Sequence, residues 1–273
     1  MRIIEANKFY YLRGGAEHYM LKLSRWLKEE GHEVIPFAMQ HHDNLESEYD
    51  TFFPSFVDTR NVKFNWGGLR TLGRMLYSLE ARRRLSSLIA KTNPDLCHIH
   101  NIYTQLSPSI LDTLRDQKVP MVMTVHDHHL ISPQYNIWAE GQGTDLKDVG
   151  VVKGSASRFH KNSVAASFAQ VATYKFHRLL KIYEHNIDLF LCPSIYMKQQ
   201  LLKGGFPERK VKVNKYGINA RQIEPNFGHR DYALFVGRLS EEKGIETIIE
   251  IAKILPDIHF KIVGRGPDME RLH

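Results

Sequence analysis

The sequence predicts an α/β fold with a parallel sheet covered on both faces, followed by the start of a second unit of the same kind. Two observations carry this. Short apolar runs alternate with amphipathic stretches of helical period, joined by short connections, as in strand–helix–strand units. The alternation then lapses at a polar segment, residues 220–230, which contains Pro225 and Gly228, and restarts beyond it.

Residues 2–6 (RIIEA) are the first strand. From Ala16 the apolar residues Tyr19, Met20, Leu23, Trp26 and Leu27 recur at helical spacing and stop at Gly31. Residues 32–38 form the second strand. Pro36 cannot donate to a ladder, which places this strand at an edge or keeps it short. After a stretch without clear period, residues 69–90 read as one long helix. Leu72, Leu76, Leu79, Leu85 and Leu88 line one side, and Arg70, Arg74, Arg82, Arg83 and Arg84 the other. Strand 95–100, helix 108–118 and strand 121–125 follow. Residues 126–160 are long and mixed, with Gly141, Gly143, Gly150 and Gly154, and suit a functional lid or a segment without fixed structure. Helix 162–184, strand 188–192, helix 195–203 and strand 211–216 complete the first domain, residues 1–219. Beyond the linker (220–230), residues 231–273 hold strand 232–236, helix 244–255, strand 259–263 and the start of another helix at Gly264-Arg265-Gly266-Pro267.

The chain has 273 residues, between one and two domains at about 150 residues each. With 25% charged and 42% hydrophobic residues, it is not a largely disordered chain. No apolar run approaches the roughly 20 residues of a membrane span. The opening MRIIEANKFYYLRGG has no secretory h-region. Cys97 and Cys192 lie far apart and no CxxC occurs, which argues against a zinc site or a disulfide framework and fits a reducing cytoplasm. A net charge of +7 favours anionic partners. No basic stretch interleaved with aromatics supports nucleic acid.

Four segments could carry chemistry. Gly14-Gly15 sits between the first strand and first helix, where the backbone can approach a ligand and helix N–H groups favour an anion; a plain turn is the simpler reading. His126-Asp127-His128-His129 follows a strand, so one member should face the crevice at the strand's carboxyl end. Its spacing is not that of a helical zinc motif, and a neutral histidine donating to a substrate oxygen suits it better. In Gly237–Gly244, Arg238 offers a planar fork and Lys243 a point charge, a pair able to neutralise a diphosphate. Gly264 and Gly266 give a G-x-G after a strand, but Met269 stands where a dinucleotide fingerprint wants its third glycine.

The ordered set of motifs resembles family 4 glycosyltransferases of the GT-B fold, with two Rossmann-like domains. The matching pieces are Gly14-Gly15-Ala16-Glu17, His98-Ile99-His100-Asn101 and Thr124-Val125-His126-Asp127 in the first part. Later come residues 188–194 (DLFLCPS), Tyr216-Gly217-Ile218-Asn219, Val236-Gly237-Arg238-Leu239 to Lys243-Gly244, and Val263–Pro267. The resemblance implies a nucleotide-sugar donor and metal-independent transfer with retention of configuration, and no cofactor. By position, Arg238 and Lys243 would hold the donor diphosphate, with Gly15, Gly264 and Gly266 near the phosphates. His126 would touch the transferred sugar. Gly14, Gly15, Glu17 and Asp127 would lie on the acceptor side, Glu17 in a more structural part. Asn219 stands where relatives have Asp. The late Glu-x7-Glu signature is absent: Glu242 and Glu250 have its spacing but lie on the wrong element.

The expectation is therefore a complete N-terminal Rossmann-like domain and an incomplete second one. The function expected is sugar transfer to a glycan or lipid-linked acceptor in surface polysaccharide synthesis, with the basic helices touching an anionic membrane. A non-catalytic acceptor-binding half, or one part of a split enzyme, is the alternative. On this reading the 273-residue chain by itself transfers little or no sugar. A radiolabelled-sugar assay checks this, and robust turnover would contradict it.

Overall fold

The structure is a computed structural model and describes residues 1–58, 65–135, 138–139, 142–143, 150–160, 162–220, 223–228 and 230–272. It divides into two compact units, Met1–Ile137 with Asp145–Tyr216, and Trp138–Thr144 with Gly217–His273. The division after Tyr216 falls three residues before the expected domain end at 219.

The first unit runs β1 (Arg2–Ala6), α1 (Gly15–Glu29), β2 (Glu33–Phe37), α2 (Trp66–Leu76), α3 (Leu79–Thr92), β3 (Leu96–Ile99), α4 (Ser109–Asp116) and β4 (Met121–Thr124). A short hairpin, β5 (Trp138–Ala139) and β6 (Gln142–Gly143), belongs to the second unit. The first unit continues with α5 (Val151–Ala156), α6 (Val164–Leu179), α7 (Ile182–Asn186), β7 (Leu189–Cys192), α8 (Ile195–Lys203) and β8 (Val211–Val213). Its sheet has six strands in the order β2-β1-β3-β4-β7-β8, and every pairing is parallel.

β2 is an edge strand, as Pro36 requires. Pro36 sits opposite Glu5, and its missing N–H costs nothing on the side where no strand follows. Because β2 lies on one side of β1 and β3 on the other, the strand order reverses between β1 and β3. That is the crevice at which open α/β sheets bind ligands. The core beneath is a single cluster that includes Ile4, Ile35, Phe37, Leu85, Leu88, Ile99, Met123 and Phe190, all fully buried. Cys97 and Cys192 are free thiols within it. Helix α1 ends at Glu29, and Gly31 takes the left-handed conformation (φ 81°) that turns the chain into β2.

Two long helices of the sequence reading are each broken. Residues 69–90 form α2 and α3, separated at Tyr77-Ser78. Tyr77 is extended, and the Ser78 hydroxyl accepts from the Ala81 N–H to start a new helix. The Ser78 N–H goes to the Ser107 hydroxyl (2.9 Å) rather than into a helix. Residues 162–184 form α6 and α7, parted by Lys181 at φ 48°, a conformation no helix contains. The strand expected at 211–216 pairs only over Val211–Val213. Of the 126–160 segment, residues 136–137, 140–141 and 144–149 lie outside the described residues.

The second unit contains β9 (Tyr232–Val236), α9 (Ile245–Ile254) and β10 (His259–Val263), with β9 and β10 in parallel register. Leu234, Val236, Ile254 and Val263 are exposed, because two strands and one helix cannot cover both faces of a sheet. A short 3-10 turn at Met269–Leu272 stands where a further helix was expected.

Two substitutions test this packing by urea denaturation. Leu88→Ala should cost about 2–5 kcal/mol through lost burial and a cavity. Ser78→Ala should cost about 1 kcal/mol through loss of the α3 cap.

Candidate functional site

The alternation of a strand builds the site. Glu5 is in register with His98, and His98 with Val122. Residues two apart share a face, so Glu5, His98, His100, Thr124 and His126 all project from one face of the sheet, near its carboxyl ends. These strands are buried on both faces, so a polar side chain there must find its partner within the protein.

The partners form one continuous chain of hydrogen bonds. Thr124 Oγ1 lies 2.8 Å from His98 Nε2, and His98 Nδ1 lies 3.2 Å from Glu5 Oε1. The second Glu5 oxygen lies 2.6 Å from His100 Nε2. His100 Nδ1 is 2.8 Å from His126 Nε2, and His126 Nδ1 is 2.7 Å from the Tyr216 hydroxyl. Tyr19 of α1 closes the cluster, its ring 5.4 Å from that of His126 and 4.5 Å from that of Tyr216.

Burial alone would raise the Glu5 carboxyl. His98 and His100, by charge and hydrogen bond, outweigh it and hold the group down at about 2. Glu5 is thus an anion that only accepts. Burial lowers the His100 and His126 imidazoles, and neighbouring histidines lower them further, so both are neutral near pH 7. Burial keeps the Tyr216 phenol protonated.

Of the remaining expected residues, Asp127 turns back into its own loop. It accepts the His129 N–H at 2.9 Å, and burial raises its carboxyl. His129 stacks on Tyr103 (centroids 4.2 Å apart) and accepts from the Gln170 amide at 2.9 Å. Glu17 is buried and accepts from the Asn7 side chain (3.3 Å), whose oxygen takes the Asn101 N–H; this ties α1 to β1 and β3. In this structure its contacts hold the fold together. Gly14 and Gly15 are exposed at the start of α1, which has no side-chain cap. A Cβ on Gly15 would meet nothing within 4 Å, so the fold itself makes no demand for glycine there.

In the second unit, Arg238 and Lys243 are both exposed beyond the carboxyl end of β9. Lys243 ends a 3-10 turn, and Gly244 (φ 69°) redirects the chain into α9. Gly264 and Gly266 have a packing reason to be glycine. A Cβ on them would lie 1.8 Å from the Gly237 carbonyl oxygen and 1.9 Å from that of Leu239. The expectation that they bind phosphate is therefore not needed to explain them.

Sequence reasoning singled out His126 and the Gly14–Tyr19 region as candidates and assigned no role to Glu5, His98, His100 or Tyr216. The signal was present: Glu5, His98 with His100, and Thr124 with His126 interrupt apolar strands at alternate positions. Glu5, His98 and His100 are close enough to bracket a metal ion. The ring nitrogens of both histidines and both carboxylate oxygens, however, are already engaged with one another or with Thr124 and His126.

Acid should destabilise the first unit from about pH 6.5 downward. Burial depresses His129 to about 3 and His177 to about 4, and also lowers His100 and His126. The unfolded chain then binds more protons than the folded one, so stability falls with pH below the unfolded value of 6.5. Glu5 adds to the loss below about 4.5. Melting temperatures recorded between pH 7 and 3 check this; a flat profile from 6.5 to 4.5 would contradict it.

Comparison with known proteins agrees with the geometry. Glycosyltransferase Family 4 matches residues 13–222, and Glycosyl transferases group 1 matches residues 218–273. An uncharacterized 42.6 kDa protein in the cps region of Klebsiella pneumoniae is 24% identical over 269 residues, covering 93% of this chain and 65% of that protein. Among solved structures, sucrose-phosphate synthase from Thermosynechococcus elongatus superposes with a TM-score of 0.59 at 16% identity, over 96% of this chain and 62% of that one. HepE from Anabaena in complex with UDP gives 0.55 at 13% identity, over 99% and 63%. The chain thus spans somewhat less than two thirds of the length of these relatives, and its fold is GT-B. The match over residues 13–222, most of the chain, shows that the chain belongs to glycosyltransferase family 4.

Proposed function

We propose that the protein acts in sugar transfer from a nucleotide-sugar donor to a glycan or lipid-linked acceptor, with retention of configuration and without a metal. The observation that carries this reading is the placement of His126. It stands at the carboxyl end of β4, partly exposed, on a buried polar network that leaves one edge of its ring toward the outer aromatic cluster. The match to the family and the UDP bound by the Anabaena HepE structure support a nucleoside diphosphate as the leaving group. The cps-region relative supports a surface polysaccharide as the product.

The chemistry asked of the protein is charge stabilisation. As the glycosidic bond to the diphosphate breaks, negative charge grows on the phosphate oxygens. Arg238 would meet two of them with its fork and Lys243 would add a point charge. His126 would orient the transferred sugar, and the Gly14–Gly15 turn would admit substrate close to the backbone. Neither Arg238 nor Lys243 need be moved to reach solvent, since both are exposed.

The membrane part of the reading narrows. Arg74 pairs with Glu80 at 3.1 Å, Arg82 with Asp116 at 2.8 Å, and Arg84 donates to the Thr51 carbonyl. Those three arginines tie the helices to their surroundings. What α2 offers a membrane is Trp66, 86% exposed, with Leu69 and Arg70 beside it, the mixture of apolar and cationic groups that suits a headgroup layer. Among the described residues, no helix is long and apolar enough to cross a membrane.

Two experiments test the proposal. In transfer-competent protein, Arg238→Ala and Lys243→Ala should each lower transfer on the order of 10²-fold; near-normal turnover in both refutes the diphosphate role. Co-sedimentation with anionic vesicles should exceed that with neutral ones and fall in Trp66→Ala; equal binding to both kinds of vesicle refutes the membrane contact.

A further inference from the structure

The hydrogen-bond chain has a direction, and one residue sets it. Glu5 is a carboxylate with no proton to give, so His98 and His100 must each turn an N–H toward it. His100 thereby spends its only proton on Nε2, and its Nδ1 is an acceptor. The neighbouring His126 Nε2, 2.8 Å away, must then carry the proton of that ring. His126 Nδ1 is left as an acceptor, and it is the Tyr216 hydroxyl that donates to it, at 2.7 Å. Each step leaves one tautomer for a neutral ring, and the direction runs unbroken from Tyr216 to Glu5.

We propose that Glu5 is a positioning residue that, through His100, locks His126 in the Nε2–H tautomer and so makes its outward Nδ1 an acceptor for a substrate hydroxyl. This reverses the sequence expectation that the histidine donates to a substrate oxygen. The ring nitrogen that could donate is already committed inward, to His100. In the free chain that acceptor is engaged by Tyr216, an O–H donor on a half-exposed side chain, so a sugar hydroxyl would take the place of the Tyr216 hydroxyl on Nδ1. The inference rests on the reading of His126 as the group that meets the transferred sugar. It does not depend on which nucleotide or acceptor is used.

Glu5 lies three hydrogen bonds from Tyr216 and touches no substrate. Its effect would be felt as a preference, not as a contact. A donor sugar or acceptor that presents a hydroxyl to Nδ1 is accepted. One that presents a carbonyl or another bare acceptor leaves two lone pairs facing each other and is disfavoured.

Long-range proton–nitrogen correlation spectra of the histidine rings test this in the isolated 273-residue chain, without substrate. At pH 7, His100 and His126 should both be neutral with the proton on Nε2. A His126 protonated on Nδ1, or on both nitrogens, overturns the proposal. Glu5→Gln is nearly isosteric but offers one acceptor and one donor, so His98 and His100 cannot both keep an N–H on it. One of the two should change tautomer, and His126 should follow His100 in every state. If neither ring changes, or if His126 changes independently of His100, Glu5 does not set the direction. In transfer-competent protein, Glu5→Gln should lower kcat at least about tenfold with donor KM little changed where His100 and His126 change, since a misdirected histidine tautomer in a catalytic site can cost far more than that, and should leave kcat near normal where only His98 changes. An altered His126 tautomer with unchanged kcat would overturn the role in transfer. Tautomers as expected in a protein that transfers no sugar would instead refute the glycosyltransferase reading and leave the positioning intact.

Discussion

One carboxylate, buried with no exposed side-chain surface between two histidines, constrains the centre of the first unit. An isolated ion in that position would be prohibitively costly, and Glu5 is tolerated only because His98 and His100 donate to both of its oxygens. His98 lies on β3, the neighbour of β1, and His100 just past its end; the next members of the chain lie on or just past β4 and beyond β8. A slip of one residue in the β1–β3 pairing would turn Glu5 to one face and both histidines to the other. The polar stripe therefore specifies strand register as firmly as the apolar core around it. Its geometry also carries the charge inside the sheet outward, as a fixed pattern of donors and acceptors, to a ring at the edge of the crevice.

The two units differ in how far they satisfy themselves. The first closes a core around Ile4, Leu88, Met123 and Phe190 and uses three of the five arginines on α2 and α3 to hold its own helices in place. The second has parallel strands and the turns that follow them, but apolar residues on both strands and on α9 face solvent. Its loops are nonetheless well determined. The turn after β10 passes so close to the turn after β9 that only glycine fits at 264 and 266. That close packing leaves Arg238 and Lys243 outside, where they can meet an anion. The glycine pair at 14 and 15 is of another kind, since no backbone angle or neighbour demands Gly15. Two similar glycine signatures thus differ physically: packing demands glycine at 264 and 266 and makes no such demand at 15.

Much of this was legible in the sequence. Local pattern is enough to find β1, β2, β3, β4, β7, β9 and β10, because buried parallel strands are short continuous apolar runs flanked by polar turns. Pro36 marked β2 as an edge strand or a short one, and the sheet order decides for the edge. The ordered motifs were enough for the family. What the pattern could not show were interruptions made by distant partners. Tyr77-Ser78 breaks a helical period because the Ser107 hydroxyl, 29 residues on, takes the Ser78 N–H. Lys181 breaks another in a conformation that residue type does not forecast.

The site divides in the same way. Sequence determined which residues stand at the carboxyl ends of strands and which faces they share, since both follow from a period of two. Only the tertiary structure decided that Glu5, His98, His100, His126 and Tyr216 meet, because their hydrogen bonds span 26 to 95 positions along the chain. It also decided the direction of those bonds. A histidine in a sequence has two equivalent choices of tautomer; placed two bonds from a buried carboxylate, it has one.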